Sequence, residues 1–159
     1  MIHAIAAAVR RSAEQQFYRS RTLRNRCMVV SYSLQWLLDR AGVSSAVMQG
    51  YFIKREHCWV VTSKLLIDLT ATQFNRSLPP VLILPLTEVN RVHVPFCPLD
   101  GRSIKGHLRG LDTVYGKPVD QHATAIIMRA LRLLDGEDIR WRNDDPEASE
   151  GGAKGRIDA

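Results

Sequence analysis

Apolar positions along this chain recur first at the helical period and then at the strand period. Residues 2–18 are rich in alanine and free of proline and glycine, which predicts a helix ending near Phe17 or Tyr18. An arginine-rich connection follows. Val30, Leu34, Leu37 and Leu38 then form an apolar stripe at spacings of four, three and one, the mark of a second helix. Asn25 is placed to cap its start and Gly42 to end it, which sets Cys27 in the first turn. From residue 43 the pattern changes. Residues 45–53, 57–61 and 65–69 are rich in Val, Ile, Leu and aromatic residues and predict three strands, the last two separated by Thr62-Ser63-Lys64.

Residues 78–86 contain Pro79, Pro80 and Pro85, so they suit an extended or edge segment rather than a central strand. Residues 87–122 mix short apolar stretches with Gly and Pro; they are compatible with further strands or with a long covering loop, and 95–116 read as a loop bordering a cleft. Ile126, Ile127, Ala130, Leu131 and Leu134 restore the helical period over 122–134. The expected architecture is α+β, with helices preceding an antiparallel sheet. Residues 1–142 are expected to form one domain and 143–159 a disordered acidic tail.

Composition narrows the class. At 159 residues, 45% hydrophobic and 24% charged, the chain can bury a core, which excludes a fibrous or largely disordered protein. No apolar run reaches the roughly 18 residues of a membrane span, so no membrane association is expected. Met1–Arg11 lacks the positive start and the small-residue cleavage site of a signal peptide. Cys27, Cys58 and Cys97 are odd in number and cannot all pair as disulfides; a reducing, cytoplasmic setting is expected, with a thiol free to work.

Charge is uneven. The net charge is +6, yet residues 143–159 carry −3, leaving +9 on residues 1–142. Arg10, Arg11, Arg19, Arg21, Arg24 and Arg26 concentrate it in one segment. Such a run suits a nucleic acid or another acidic partner, and equally a solvated helix face followed by a polar loop.

The chemistry resides in Cys27, His57 and Asp68. A helix start favours a thiolate, because free backbone N–H groups and the helix dipole stabilise negative charge. An imidazole nearby can take the thiol proton and return it to a leaving group, and a carboxylate can fix that imidazole's tautomer. The strand pattern permits the meeting. If the hairpin closes through Ser63-Lys64, His57 lies opposite Thr70 and Asp68 is its diagonal neighbour on the same face; closing one residue earlier puts Asp68 directly opposite. An odd-length turn separates them. Each residue taken singly is as readily a core cysteine, a satisfied sheet histidine or a turn carboxylate.

Taken in order, these residues are familiar. Arg26-Cys27 leading into Ser31–Val43 resembles the catalytic helix of the transglutaminase-like superfamily of papain-fold cysteine enzymes. Gln49-Gly50-Tyr51 is similar to that family's Val-x-Gly-Tyr strand, His57-Cys58-Trp59-Val60 to its His-Ala-Trp-Val signature, and Ile67-Asp68-Leu69-Thr70 to its Val-Asp-x-Thr signature. The resemblance spans residues 24–75. It implies a papain-like fold with the cysteine at a helix start against a sheet carrying His and Asp. It also implies a Cys27 nucleophile, a His57 general base and acid, an Asp68 orienting group, and acyl transfer on amide bonds of a protein or peptide substrate without a cofactor. Arg21 stands where papain-like relatives often carry an oxyanion-stabilising Gln, and Gln15 and Gln16 lie farther back, leaving the Cys27 backbone N–H for that role.

Cys58 alternates to the other strand face from His57 and is expected in the core, Trp59 packs beside the site, and Thr70, Gln73 and Asn75 either contact it or serve loop bonding. His93, Cys97, His107 and His122 offer metal-ligand types, but their spacings match no usual zinc pattern, and no metal is expected. The glycines at 101, 106 and 110 lack the ending of a phosphate loop. The rival reading from another class is a catalytically inactive basic adaptor or nucleic-acid-binding module using arginines 10–26.

Overall fold

The structure, a computed structural model, describes residues 1–17, 23–86, 92–99 and 119–142, with the backbone alone at Val119 and Asp120. Among these residues three α-helices, α1 (Ile2–Gln16), α2 (Cys27–Arg40) and α3 (Val119–Leu133), accompany five strands: β1 (Ser45–Phe52), β2 (Arg55–Thr62), β3 (Leu65–Asp68), β4 (Leu82–Pro85) and β5 (His93–Leu99). The strands form one open antiparallel sheet in the order β4-β3-β2-β1-β5. The prolines sort to its margins. Pro85 ends β4, and Pro95 and Pro98 sit in β5, both edge strands, where a missing N–H removes no central ladder bond.

The α+β expectation holds, with two differences. The helix expected over 122–134 runs from Val119 to Leu133, follows β5 and packs on α1 and α2, so the helices do not all precede the sheet. Residues 95–99 belong to β5 rather than to a loop, because Cys97, Pro98 and Leu99 pair with Gln49, Met48 and Val47. The remainder of 95–116 and residues 143–159 lie outside the described residues. No helix among those described is long and apolar enough to cross a membrane.

One face of the sheet meets the helices. Ile5 and Val9 of α1, Val30, Leu34 and Leu37 of α2, and Ile126 and Ala130 of α3 bury completely against Val47, Val60 and Ile67. Each of the larger side chains contributes about 1.5–3 kcal/mol by leaving water. The ends of α1 and α3 are tied by polar bonds: Gln16 Nε2 lies 2.8 Å from His122 Nδ1, and Arg129 Nη1 donates to Gln16 Oε1 at 2.8 Å. Gly42, at φ +80°, closes α2 as expected; Val43 N–H bonds Leu38 O and Gly42 N–H bonds Asp39 O, satisfying carbonyls the helix leaves open.

The start of α2 departs from expectation. Asn25 does not cap it: the cap position is Arg26, and no side chain bonds the first turn. Asn25 instead adopts a left-handed backbone, φ +57°, and gives its N–H to the Gln73 side chain.

Candidate active site

The hairpin between β2 and β3 pairs Val60 with Ile67 and Val61 with Leu66. This is the even register that sets His57 and Asp68 diagonally on one face. Their side chains meet there: His57 Nε2 lies 2.8 Å from Asp68 Oδ2, with both groups buried. The other carboxylate oxygen, Oδ1, accepts the Thr70 N–H at 2.8 Å and the Thr70 hydroxyl at 3.3 Å. Arg10 braces this turn from α1, its guanidinium donating to Leu69 O and, at 3.2 Å, to Thr72 Oγ1.

A second imidazole shares the carboxylate. His93 on β5 brings Nε2 to 2.8 Å from the same Oδ2. β5 pairs with β1 so that His93 faces Phe52, after a bulge between Gln49 and Gly50 shifts the register by one residue. Gly50 makes this possible by having no side chain. A Cβ there would collide with Val94 O and stand 2.6 Å from Trp59 Cη2. Aromatic rings wall the cluster: Phe52 and Phe74 stack at 4.9 Å, Phe74 meets His57 edge-on at 5.0 Å, and Trp59 meets His93 at 5.0 Å. Trp59 therefore packs beside the site, as expected.

Cys27 is the first residue of α2 and half-buried. Its sulfur interacts with the His57 imidazole and with both the thiol and the backbone N–H of Cys58. The bond from the Cys58 thiol has the largest effect in holding the Cys27 pKa well below the usual thiol value; burial opposes it, and His57 reinforces it. The same bond, followed by burial, pushes the Cys58 thiol up. Cys58 is thus more than the packing residue expected. It is buried in the core, and its thiol interacts with Cys27.

At His57 burial favours the neutral ring, but bonds to Asp68 and Cys27 outweigh it and raise the pKa to about 9. Burial likewise works against the Asp68 carboxylate, and the bonds from His57 and His93 overcome it, holding the group well below the usual carboxylate range. With Nε2 committed to Asp68, Nδ1 is the nitrogen of His57 left for its other neighbours. Gln73 attends that atom. Asn25 N–H donates to Gln73 Oε1 at 3.1 Å, which turns the amide Nε2 toward His57 Nδ1 at 3.3 Å. An accepting Nδ1 belongs to the neutral ring, whereas the raised pKa favours the charged one. The Gln73 N–H can bond Nδ1 only while that nitrogen carries no proton.

Three of these partners were not legible as such in the sequence. Gln73 was one of three polar residues near the site, of which Thr70 bonds Asp68 and Asn75 bonds Ser77 within its own loop. The sequence offers His93 only as a metal-ligand type with Cys97, His107 and His122; His93 meets Asp68, His122 meets Gln16, and His107 lies outside the described residues. The Cys58 thiol carried no signal beyond its replacement of the alanine usual in the resembled signature.

His57, Asp68 and His93 also offer two imidazoles and a carboxylate, their ligand atoms within 4.8 Å of one another, a set suited to a first-row transition metal. Ligands about 2.0–2.1 Å from one tetrahedral ion stand roughly 3.3 Å apart. The 2.8 Å separations to Asp68 Oδ2 are instead those of shared protons. Cys27 opens onto a cleft of about 170 Å³ lined also by Arg24, Asn25, Arg55, Glu56, Gln73 and Phe74.

The described arginines of the run differ in setting, and Arg11 among them is exposed. Arg10 is buried and bonded inward, Arg26 lies over the Phe17 ring at 4.9 Å, Arg24 borders the cleft, and Arg19 and Arg21 fall outside the described residues. Compared with protein-family models, curated proteins and solved structures, the chain finds no match.

Proposed function

We propose that this chain is a cytoplasmic, transglutaminase-like cysteine enzyme of papain-like fold that transfers the acyl group of a peptide amide through a covalent thioester on Cys27. The observation that supports this reading is the relay Cys27–His57–Asp68: a helix-start thiol against an imidazole whose far nitrogen is held at 2.8 Å by a buried carboxylate. In the first half-reaction the Cys27 thiolate attacks the amide carbonyl carbon, forming the C–S bond. The Cys27 backbone N–H, at a helix start without a side-chain cap, stabilises the oxyanion in this reading. His57 Nδ1–H then protonates the departing nitrogen as the C–N bond breaks. Water or an amine, losing its proton to the same nitrogen, attacks the thioester and expels the thiolate. Asp68 keeps the imidazole's orientation and stabilises its charged form.

Iodoacetamide labelling read by mass spectrometry tests the reading. Near neutral pH Cys27 should react far faster than Cys58 or Cys97, and His57→Ala should slow it. Equal, slow labelling of all three thiols would dismiss an enzyme of this kind.

Two other readings have their own tests. A metal centre on His57, Asp68 and His93 requires stoichiometric zinc or iron retained through dialysis against a chelator. The basic adaptor reading requires DNA or RNA affinity that falls steeply with salt; the inward-turned Arg10 and the stacked Arg26 count against it.

A further inference from the structure

We propose that the cleft beside Cys27 recognises a substrate carboxylate, held by Arg24 and Arg55 next to the acyl group that reacts. The inference rests on the Cys27 reading above and names the class of peptide that the site takes: one with an acidic side chain or a free C-terminus adjoining the reacting amide.

Two elements far apart in sequence deliver the arginines to one rim. Arg24 comes from the segment before α2 and Arg55 from the first position of β2, and both line the cleft that holds Cys27. Both are exposed, and neither enters an ion pair among the described residues. They are therefore open to an incoming anion, which a guanidinium binds in a two-pronged geometry suited to carboxylates.

The backbone supplies a second, independent observation. Among the described residues only four non-glycine positions have a positive φ: Leu23 at +48°, Asn25 at +57°, Ile53 at +46° and Lys54 at +65°. The first two flank Arg24. The other two form the tight turn that closes on the Phe52–Arg55 pair. Such a turn ordinarily takes Asn-Gly, and a β-branched Ile in this conformation is strongly disfavoured. Unfavourable backbone of this sort persists where the surrounding fold holds it, and it concentrates at ligand sites. Here it lies beside both arginines. Phe74 gives the cleft one apolar wall, and Glu56 places a single counter-charge on the same rim. A bound carboxylate thus meets two cations and one anion, before the charge of His57 is added.

Paired alkylating agents test this without knowledge of the natural substrate. The rate of Cys27 labelling by iodoacetate is divided by that for iodoacetamide at about pH 7 and low salt, against the same ratio for N-acetylcysteinamide. The wild-type ratio should exceed the reference by about threefold or more, should fall by about two- to fivefold for each of Arg24→Gln and Arg55→Gln, and should rise in Glu56→Gln. Added salt at about 0.5 M should remove most of the excess in the wild-type protein, a readout that needs no variant to fold.

Iodoacetyl-glycine against its amide, and iodoacetyl-glutamic acid α-amide against its glutamine counterpart, separate the two sources of carboxylate. The pair with the larger charge preference at Cys27 identifies the source. Rapid iodoacetamide labelling of Cys27 with a ratio equal to the reference, or a ratio unmoved in Arg24→Gln/Arg55→Gln, overturns the carboxylate site while leaving the nucleophile intact. Slow labelling of Cys27 by every reagent overturns both.

Discussion

His93 Nε2 stands 2.8 Å from Asp68 Oδ2, the same oxygen that His57 Nε2 contacts at 2.8 Å. Two imidazoles, one on the central strand β2 and one on the edge strand β5, thus converge on one buried carboxylate oxygen. His93 is not among the residues that line the cleft or lower the Cys27 pKa, so any effect on Cys27 is expected to run through Asp68, as from a positioning residue. Replacing it with Ala should lower stability by about 1–3 kcal/mol, because a buried acceptor loses a donor. The same change should slow Cys27 labelling at pH 6, and His93→Gln, which keeps an N–H donor, should recover part of that rate. A His93→Ala protein that labels at the wild-type rate would show that the second imidazole is a packing residue only.

Asp68→Asn keeps the shape of the carboxylate and removes its charge. His57 would then retain burial, which favours the neutral ring, with much less to oppose it. The expected result is a His57 pKa that falls from about 9 to the free-imidazole value near 6.5 or lower, followed by NMR of the ring protons. Cys27 labelling below pH 7 should fall at least tenfold. Asp68→Ala, which strands two buried rings, should destabilise the fold by about 3–5 kcal/mol in urea titrations.

The Cys27–His57 pair makes a signed prediction about pH. The folded pKa of His57 is raised to about 9, so its contribution to stability is complete below the unfolded value of about 6.5 and is lost as pH rises toward 9. The folded pKa of Cys27 is lowered, so its contribution is present above the unfolded value of about 8.5 and is lost as pH falls through the folded one. Between about pH 6.5 and 8.5 the two slopes oppose each other, and the wild-type stability should be nearly flat. In Cys27→Ala only the His57 slope remains, and stability should fall by about 1–3 kcal/mol over that window. Urea titrations at half-unit pH intervals decide it; parallel curves for the two proteins would count against the ion pair.

Cys58 should tune the nucleophile. In Cys58→Ala the largest influence that holds the Cys27 pKa down is gone, and labelling at pH 6 should fall severalfold while labelling at pH 9 changes little. Cys58→Ser restores a donor and should return much of the loss. Equal profiles for the Ala and Ser variants would place the effect in packing rather than in the hydrogen bond.

Gly50 bears on the same site from behind. In Gly50→Ala the new methyl would meet Val94 O and Trp59 Cη2, and a backbone oxygen cannot swing aside as a side chain can. A loss of about 1–3 kcal/mol is expected, with β5 displaced and the His93 bond to Asp68 weakened. A wild-type melting temperature for Gly50→Ala would contradict the close packing of β1 against β5.

What the sequence determined by itself was local. The apolar stripe from Val30 to Leu38 and the glycine at 42 were enough to mark α2 and to put Cys27 in its first turn, because helical period and helix termination depend on neighbouring residues. Strand alternation likewise put His57 and Asp68 on one face for any even-length turn, since the side-chain period is two, and the structure closes that turn at Ser63-Lys64. Tertiary structure alone decided the rest. Asn25 looked like a helix cap, but the fold gives its N–H to Gln73, 48 residues away, and so fixes the amide on His57. His93 reaches Asp68 only because β5 adds to the β1 edge with a one-residue bulge, and no local pattern specifies which edge a proline-bearing strand will join or where its register will slip. Cys58 alternates away from His57 along β2, and only the packing of α2 across the sheet brings a second thiol to Cys27. Cys27, His57 and Asp68 could be read in order from the chain, whereas the groups around them come from long-range pairings, which depend on how whole elements pack rather than on the residues next in line.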